Sequence, residues 1–448
     1  MVPPVETGGA VNRRRSSMVR HSTQARPRGF AALASVIALV AAACSSSGAS
    51  TAPSAAAPSA AAPSVAAPSV AASAAASAAA SGGTVHVAIV NKDMTPDEVK
   101  AAVKTEGGLT VGNWTYAATD ELVKQFQDYV KKTYDADIKL TYAGTQSPSE
   151  YITKLAAAKK AGNPAPYDVI AVEENYWYDA DQQGLVDSVF PSGLIPNAAL
   201  VLDGFKHDPE SIAFQSTAYP GVVYNKTKAS FVKSLMDLAN PQLKGKITIP
   251  AAGDITAGGF LLGVAAELNK DYKDPAQMKE VVDWVVANIL PNVAQVTTDQ
   301  PTLQQLFESG QADVVTFWNS LARLEYLGGH TDAALLVPKT IYPANGYEWV
   351  PKGAAHPVLA QIFMNWRLAP DVQFPNAWPI DHGKWSELSE GFLGPQYVSL
   401  VPDWFKADYN TYYPTLDQIQ SSFKSIDWKA YNDSAKVFQD YYKQKLGQ

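Results

Sequence analysis

The chain has 448 residues, a net charge of −7, one cysteine and six histidines. That length is large for one hydrophobic core and suits two. A single cysteine excludes disulfide staples, the scattered histidines show no metal-ligand spacing, and beyond residue 43 an acidic balance without basic runs argues against nucleic acid as a partner.

Residues 1–43 read as a secretory signal rather than a fold. Arg13, Arg14, Arg15, Arg20, Arg26 and Arg28 precede an apolar run from Gly29 to Ala43. The run is shorter than the ~20 apolar residues a membrane span needs. Met1 and Met18 both serve as starts for such a signal. It ends at Cys44, and Ala41-Ala42-Ala43-Cys44 resembles a bacterial lipobox, with Ala41 where Leu is usual. This resemblance implies a lipid on Cys44 and a membrane anchor. The alternative is plain cleavage after Ala-x-Ala, leaving a free thiol. Loss of residues 1–43 takes six arginines and Glu6, so 36 basic and 43 acidic residues become 30 and 42, a net of −12.

Residues 44–83 form a linker that, after Cys44, holds only Ser, Ala, Pro, Gly, Thr and Val, with Pro-Ser units at Pro53, Pro58, Pro63 and Pro68. Such a segment buries too little apolar surface to offset its ordering entropy and reads as a leash. Residues 84–448 read as the globular part.

There the pattern alternates short β-rich runs with amphipathic helices, the α/β signature. Strands are predicted at Leu109–Val111, Ile138–Tyr142, Tyr167–Val172, Gly221–Asn225, Ile247–Pro250, Asp313–Phe317 and Leu335–Pro338. Helices are predicted over Asp120–Tyr134, Glu150–Lys160 behind a Ser147-Pro148-Ser149-Glu150 capping box, and from Asp274 to about Leu290. A Gly-bearing turn, Gly253–Gly259, should lead into an apolar helix through Leu268. Further helices fall at Leu303–Ser309, Leu321–Leu327 before Gly328-Gly329, His356–Leu368 before Pro370, and from about Leu416 onward. No internal repeat of fixed period is visible.

Seven local matches occur in order: Asn113-Trp114-Thr115, Tyr167-Asp168-Val169-Ile170, Gly221-Val222-Val223-Tyr224-Asn225-Lys226, Leu243-Lys244-Gly245-Lys246-Ile247, Leu290-Pro291-Asn292-Val293, Phe317-Trp318-Asn319 and Val350-Pro351-Lys352-Gly353-Ala354. With these the chain resembles the ABC-importer extracellular solute-binding proteins of family 1, spermidine/putrescine-binding type, over nearly all of residues 105–380. The resemblance implies a two-lobe periplasmic-binding-protein-like α/β fold of type II. Lobe 1 would take about 84–218 plus 338–385, and lobe 2 about 219–337 plus 386–448. Strands cross between the lobes near 221–225 and 335–343. It also implies a monomer outside the cytoplasmic membrane that binds a small-molecule ligand, needs no cofactor and docks on ABC permease subunits.

Candidate ligand-binding residues sit where such a cleft would lie. Trp114, with Thr115 and Tyr116, follows the first strand; its indole suits an alkyl chain or a cation, worth ~0.5–2 kcal/mol, unless it is a core ring. Glu173, Glu174, Asn175 and Tyr176 follow the third strand; the carboxylates suit an ammonium group or make a solvated acidic turn, and the family contacts its ligand from this loop. Tyr219 before Pro220 faces the cleft on this reading. Thr256 stands near a helix start able to hold an anion, with Asp254 read as a cap. Trp318 and Asn319 follow the Asp313–Phe317 strand, and in the resembling proteins a Trp there walls the cleft. Glu348, in a loop before Val350, would pair with a cation. Polyamine binders carry paired acids after the strand corresponding to Ile247–Ile249, where this chain has Ala251-Ala252, and another acid near Gly346. A small polar or cationic, polyamine-like solute is the expectation. Ferric-ion capture by tyrosines (Tyr412-Tyr413, Tyr441-Tyr442) and a secreted enzyme are the alternatives; no nucleophile elbow or catalytic triad context supports the last.

Overall fold

The computed structural model describes residues 83–115, 120–145, 147–201, 204–215, 219–369, 372 and 415–448. The predicted signal, Cys44 and nearly all of the linker lie outside them, as do Tyr116, Pro370 and Tyr412-Tyr413. A hairpin of β1 (Val85–Val87) and β2 (Lys92–Met94) opens the described chain. It feeds α1 (Pro96–Glu106), started by a true capping box: the Glu98 N–H donates to Thr95 Oγ1 and the Thr95 N–H to Glu98 Oε2, at 3.3 and 2.8 Å.

A parallel β-α-β-α-β run follows: β3 (Gly108–Trp114), α2 (Asp120–Tyr134), β4 (Lys139–Thr145), α3 (Ser149–Ala161) and β5 (Val169–Glu173). The capping box expected at 147–150 does not form. Ser147 Oγ instead hydrogen-bonds Ser149 Oγ at 3.1 Å, and α3 has no side-chain cap. Directly after β5 comes α4 (Glu174–Gln182), where a loop was expected. Then β6 (Lys206–His207) and β7 (Ser211–Gln215) pair antiparallel.

The second half begins with β8 (Pro220–Asn225) and β9 (Ile247–Ile249), then α5 (Ile255–Glu267) and α6 (Pro275–Asn288). Asp274 caps α6, accepting from the Ala276 N–H at 2.8 Å. β10 (Val293–Val296), α7 (Gln300–Glu308), β11 (Val314–Trp318), α8 (Ser320–Leu327) and β12 (Ala333–Leu336) complete it. The chain then returns as β13 (Gly346–Trp349) and α9 (Pro357–Arg367); after residue 415 come α10 (Leu416–Ser422) and α11 (Trp428–Leu446).

Two sheets result, with orders β4-β3-β5-β13-β7-β6 and β10-β9-β11-β8-β12. Each has three parallel strands ordered second, first, third, and then an antiparallel strand that crosses from the other half: β13 beside β5, and β8 beside β11. The repeat invisible in the residues is therefore present in strand order. This is a two-lobe α/β fold.

Both sheets are covered on two faces. Phe126 of α2 meets Phe363 and Trp366 of α9 at 5.0 and 5.1 Å between ring centroids. Tyr151, Trp177 and Trp349 make a separate cluster on the other face of the first sheet. In the second half, α5, α6 and α11 gather a core through Phe260, Leu261, Val281, Val285 and Phe438. The crossing region has its own ring stack, with Phe423 meeting Phe205 at 6.3 Å and Tyr219 at 5.8 Å.

Gly258 and Gly259 lie inside α5, not in a turn before it, because the helix is pressed too closely for side chains. A Cβ on Gly259 would stand 2.3 Å from Pro220 Cγ. Gly263, farther along α5, faces only the end of the Leu235 side chain at 2.9 Å. Gly259→Ala should therefore lower stability by ~1–3 kcal/mol through overpacking against a rigid ring. Gly263→Ala should be near neutral, helix propensity offsetting a small rearrangement. Parallel urea melts of the two variants check the contrast.

Candidate ligand cleft

In open α/β sheets ligands gather beyond the carboxyl ends of the parallel strands. In the first sheet those ends are Trp114, Thr145 and Glu173; in the second they are Ile249, Val296 and Trp318.

Trp114 closes β3, half-buried, and its Nε1–H lies 3.0 Å from both carboxylate oxygens of Glu173. Glu173 occupies the cap position of α4 but makes no cap bond with its side chain; the carboxylate holds the indole instead. Thr115 is exposed. Asn175 and Tyr176, in the first turn of α4, are half-buried. Asn175 Oδ1 is sealed from solvent and has no hydrogen-bond partner among the described residues. The Tyr176 hydroxyl is pushed up to about 12, by burial first and then by Glu173; the Asn175 side chain opposes the shift, and Asp254 adds to it. Asp254 caps α5 in the second half, as its sequence suggests, accepting from the Thr256 N–H at 2.8 Å. Tyr176 thus marks where the two halves approach one another. Trp318 closes β11, half-buried, opposite Pro220 in the strand register.

Glu174 diverges from Glu173 because the chain turns from strand to helix between them. Its Oε1 lies 2.6 Å from His207 Nε2, and the His207 ring stacks on Trp177 at 3.8 Å and 4°. With Phe205, Asn345, Phe423 and Lys424 it lines a cavity of about 350 Å³ at the crossing. The adjacent acids, indistinguishable in sequence, serve different places.

Four expected ligand residues have other work. Tyr219 is buried against Phe423 rather than facing a cleft, and burial holds its hydroxyl well above the usual range. Thr256 is buried, with both its N–H and its hydroxyl bonded to Asp254. Asn319 clamps the crossing: its Oδ1 accepts from the Tyr219 N–H at 3.1 Å, and its own N–H donates to the Tyr219 carbonyl at 3.0 Å. Glu348 is not in a loop. It lies in β13, a central strand covered on both faces, where alternation sends Tyr347 and Trp349 to one side and Glu348 to the other. There it forms an ion pair with Arg367 of α9, Oε1 to Nε 2.8 Å, with both side chains almost wholly buried. Of the tyrosines offered for iron, the two among the described residues are engaged: Tyr442 donates to the Pro250 carbonyl at 3.2 Å and Tyr441 to Asp283 at 2.9 Å.

A family model described as bacterial extracellular solute-binding protein matches residues 121–378. No curated protein matches the chain in sequence. Among solved structures, the spermidine/putrescine ABC transporter substrate-binding protein of Streptococcus pneumoniae is similar with a TM-score of 0.58 at 18% identity, over 75% of this chain and 99% of that one. An ABC transporter protein of Clostridium perfringens gives 0.55 at 18% identity, over 75% and 99%. A Trichodesmium protein in complex with iron and citrate gives 0.54 at 15% identity, over 76% and 99%. At these identities the likeness is one of fold.

Removing one partner of a buried ion pair strands the other charge. Glu348→Ala should cost ~3–5 kcal/mol of stability while leaving solute affinity of the folded protein unchanged. Urea unfolding together with solute titration separates this from a cleft role, which would show as lost affinity.

Proposed function

The chain belongs to the bacterial extracellular solute-binding proteins, and on that premise we propose that it captures a small organic solute bearing a cationic, ammonium-type group for an ABC importer. The observation that carries this reading is the set of acceptors around Trp114 and Tyr176. Glu173 brings a carboxylate, Asn175 a buried oxygen without a donor, and Asp254 a second carboxylate from the other half. A buried acceptor left unpaired is costly, and an ammonium group brings several donors to such a place. Trp114 and Trp318 supply aromatic faces for its charge and alkyl chain. Thr115 and Tyr116 follow Trp114 in the sequence and join the proposed site. The lobes take residues 84–218 and 219–337, with the chain returning to the first near 338. Ligand capture brings them together by hinge motion.

A panel of polyamines, quaternary amines, neutral polyols, carboxylates and ferric citrate tests this by thermal shift. A ligand at ~100 times its dissociation constant stabilises by ~2.7 kcal/mol. A shift with amines that disappears in Trp114→Ala and Trp318→Ala supports the proposal. A shift confined to carboxylates or ferric citrate overturns it.

We further propose that Cys44 carries a lipid and that the Ala/Ser/Pro linker behind it spaces the binding domain from the membrane. Cys44→Ser should then move the protein from the membrane fraction into the medium or periplasm, and mass spectrometry of the wild-type N-terminus should find a diacylglyceryl cysteine.

A further inference from the structure

A second cluster of ligating groups lies far from the proposed cleft. Glu308 ends α7, Glu325 lies in the last turn of α8, and His330 sits in the turn before β12. One ligand atom from each lies within 4.8 Å of the other two. β12 and β11 both pair antiparallel with β8, so Ala333 and Val314 lie at one end of the strands while Trp318 is at the other. The cluster therefore lies at the end of the sheet opposite the carboxyl ends of its parallel strands.

Glu325 has an environment that few carboxylates tolerate. It is 1% exposed, and neither of its oxygens has a well-aligned hydrogen-bond partner among the described residues. The charges acting on it, Glu308 and Asp332, are both negative; burial first, and then these two, push its carboxyl up to about 8, with the Gln304 side chain opposing the shift. Two helices, α7 and α8, also end here, adding the negative ends of their dipoles. Burying carboxylate oxygens without partners is expensive, and a multivalent cation at the centre of the cluster removes the cost.

The geometry points to a divalent transition-metal site, zinc by its donor set, formed by Glu308, Glu325 and His330 and clipping the ends of α7 and α8 to the turn before β12. One imidazole and two carboxylates suit zinc and leave a position for water. The His330 turn is already held, with its N–H donating to the Glu325 carbonyl at 2.9 Å. Its Nε2 stands 4.0 Å from Glu308 Oε1, and Glu308 is exposed and able to close the remaining distance.

Isothermal titration of the untagged full chain with zinc chloride, in parallel with calcium chloride and without organic solute, tests the site. One equivalent of zinc should bind and raise the melting temperature, whereas calcium at the same concentration should not. Glu325→Gln and His330→Ala should each weaken zinc binding at least about tenfold. Glu325→Gln is isosteric and His330 lies in a surface turn, so both variants should fold and keep their response to the solute panel. Trp114→Ala should leave zinc binding intact, which separates failure of this site from failure of the cleft. Absence of zinc binding, or binding undiminished in both variants, overturns the proposal.

Discussion

Four residues, Gly346–Trp349, complete the first sheet only after the chain has built the second. They pair antiparallel with β5 on one side and β7 on the other, and every one of them is buried. β8 occupies the matching place between β11 and β12 in the second sheet. Each lobe is thus closed by a strand whose chain neighbour belongs to the other lobe. The crossing segments run from β7 to β8 and from β12 to β13; β7, β8 and β13 have a neighbour on each side, whereas β12 is the last strand of its sheet.

β13 also carries a buried ion pair, Glu348 with Arg367. A buried pair of this kind contributes little net stability over an apolar replacement, because two desolvation costs offset the attraction. Its physical consequence here is register. A slip of one residue would turn Glu348 toward the Trp177–His207 face and Tyr347 toward α9, drawing the two charges apart. For a strand of four residues, where apolar alternation gives little discrimination, this penalty defines the pairing.

Much of the fold was legible because its longer elements announce themselves. α2 occupies the predicted Asp120–Tyr134, where Leu122, Phe126 and Val130 make one apolar stripe. Other signals were present but not read. Thr95-Pro96-Asp97-Glu98 is a complete capping box with Pro at the first position, yet α1 was not predicted. α9 buries everything from Val358 to Arg367, and an arginine in such a helix demands a buried acid; that demand pointed to Glu348 as a core residue rather than a ligand. Tyr219, Thr256 and Asn319 look like polar loop residues, and only tertiary contacts reveal that backbone amides and rings occupy them. The sequence puts Trp114 in the loop after a strand ending at Val111, whereas β3 runs on to Trp114 itself, and its carboxylate partner comes from a strand 59 positions away, which no local pattern encodes.

On the proposed reading, the distribution of carboxylates in the cleft bears on how closure would work. Glu173 in the first lobe and Asp254 in the second both act on the Tyr176 hydroxyl, so drawing the lobes together also brings like charges together. Without a cation this opposes closure, more strongly as water leaves and the local dielectric falls. On the proposed reading, an ammonium group reverses the sign of that interaction and fills the Asn175 oxygen at the same time. The ligand then has a differential affinity for the closed arrangement, which is the one property a solute needs to shift an open–closed equilibrium. On that reading, acidic groups divided between the lobes would couple capture to closure in a way that the same groups gathered on one lobe would not.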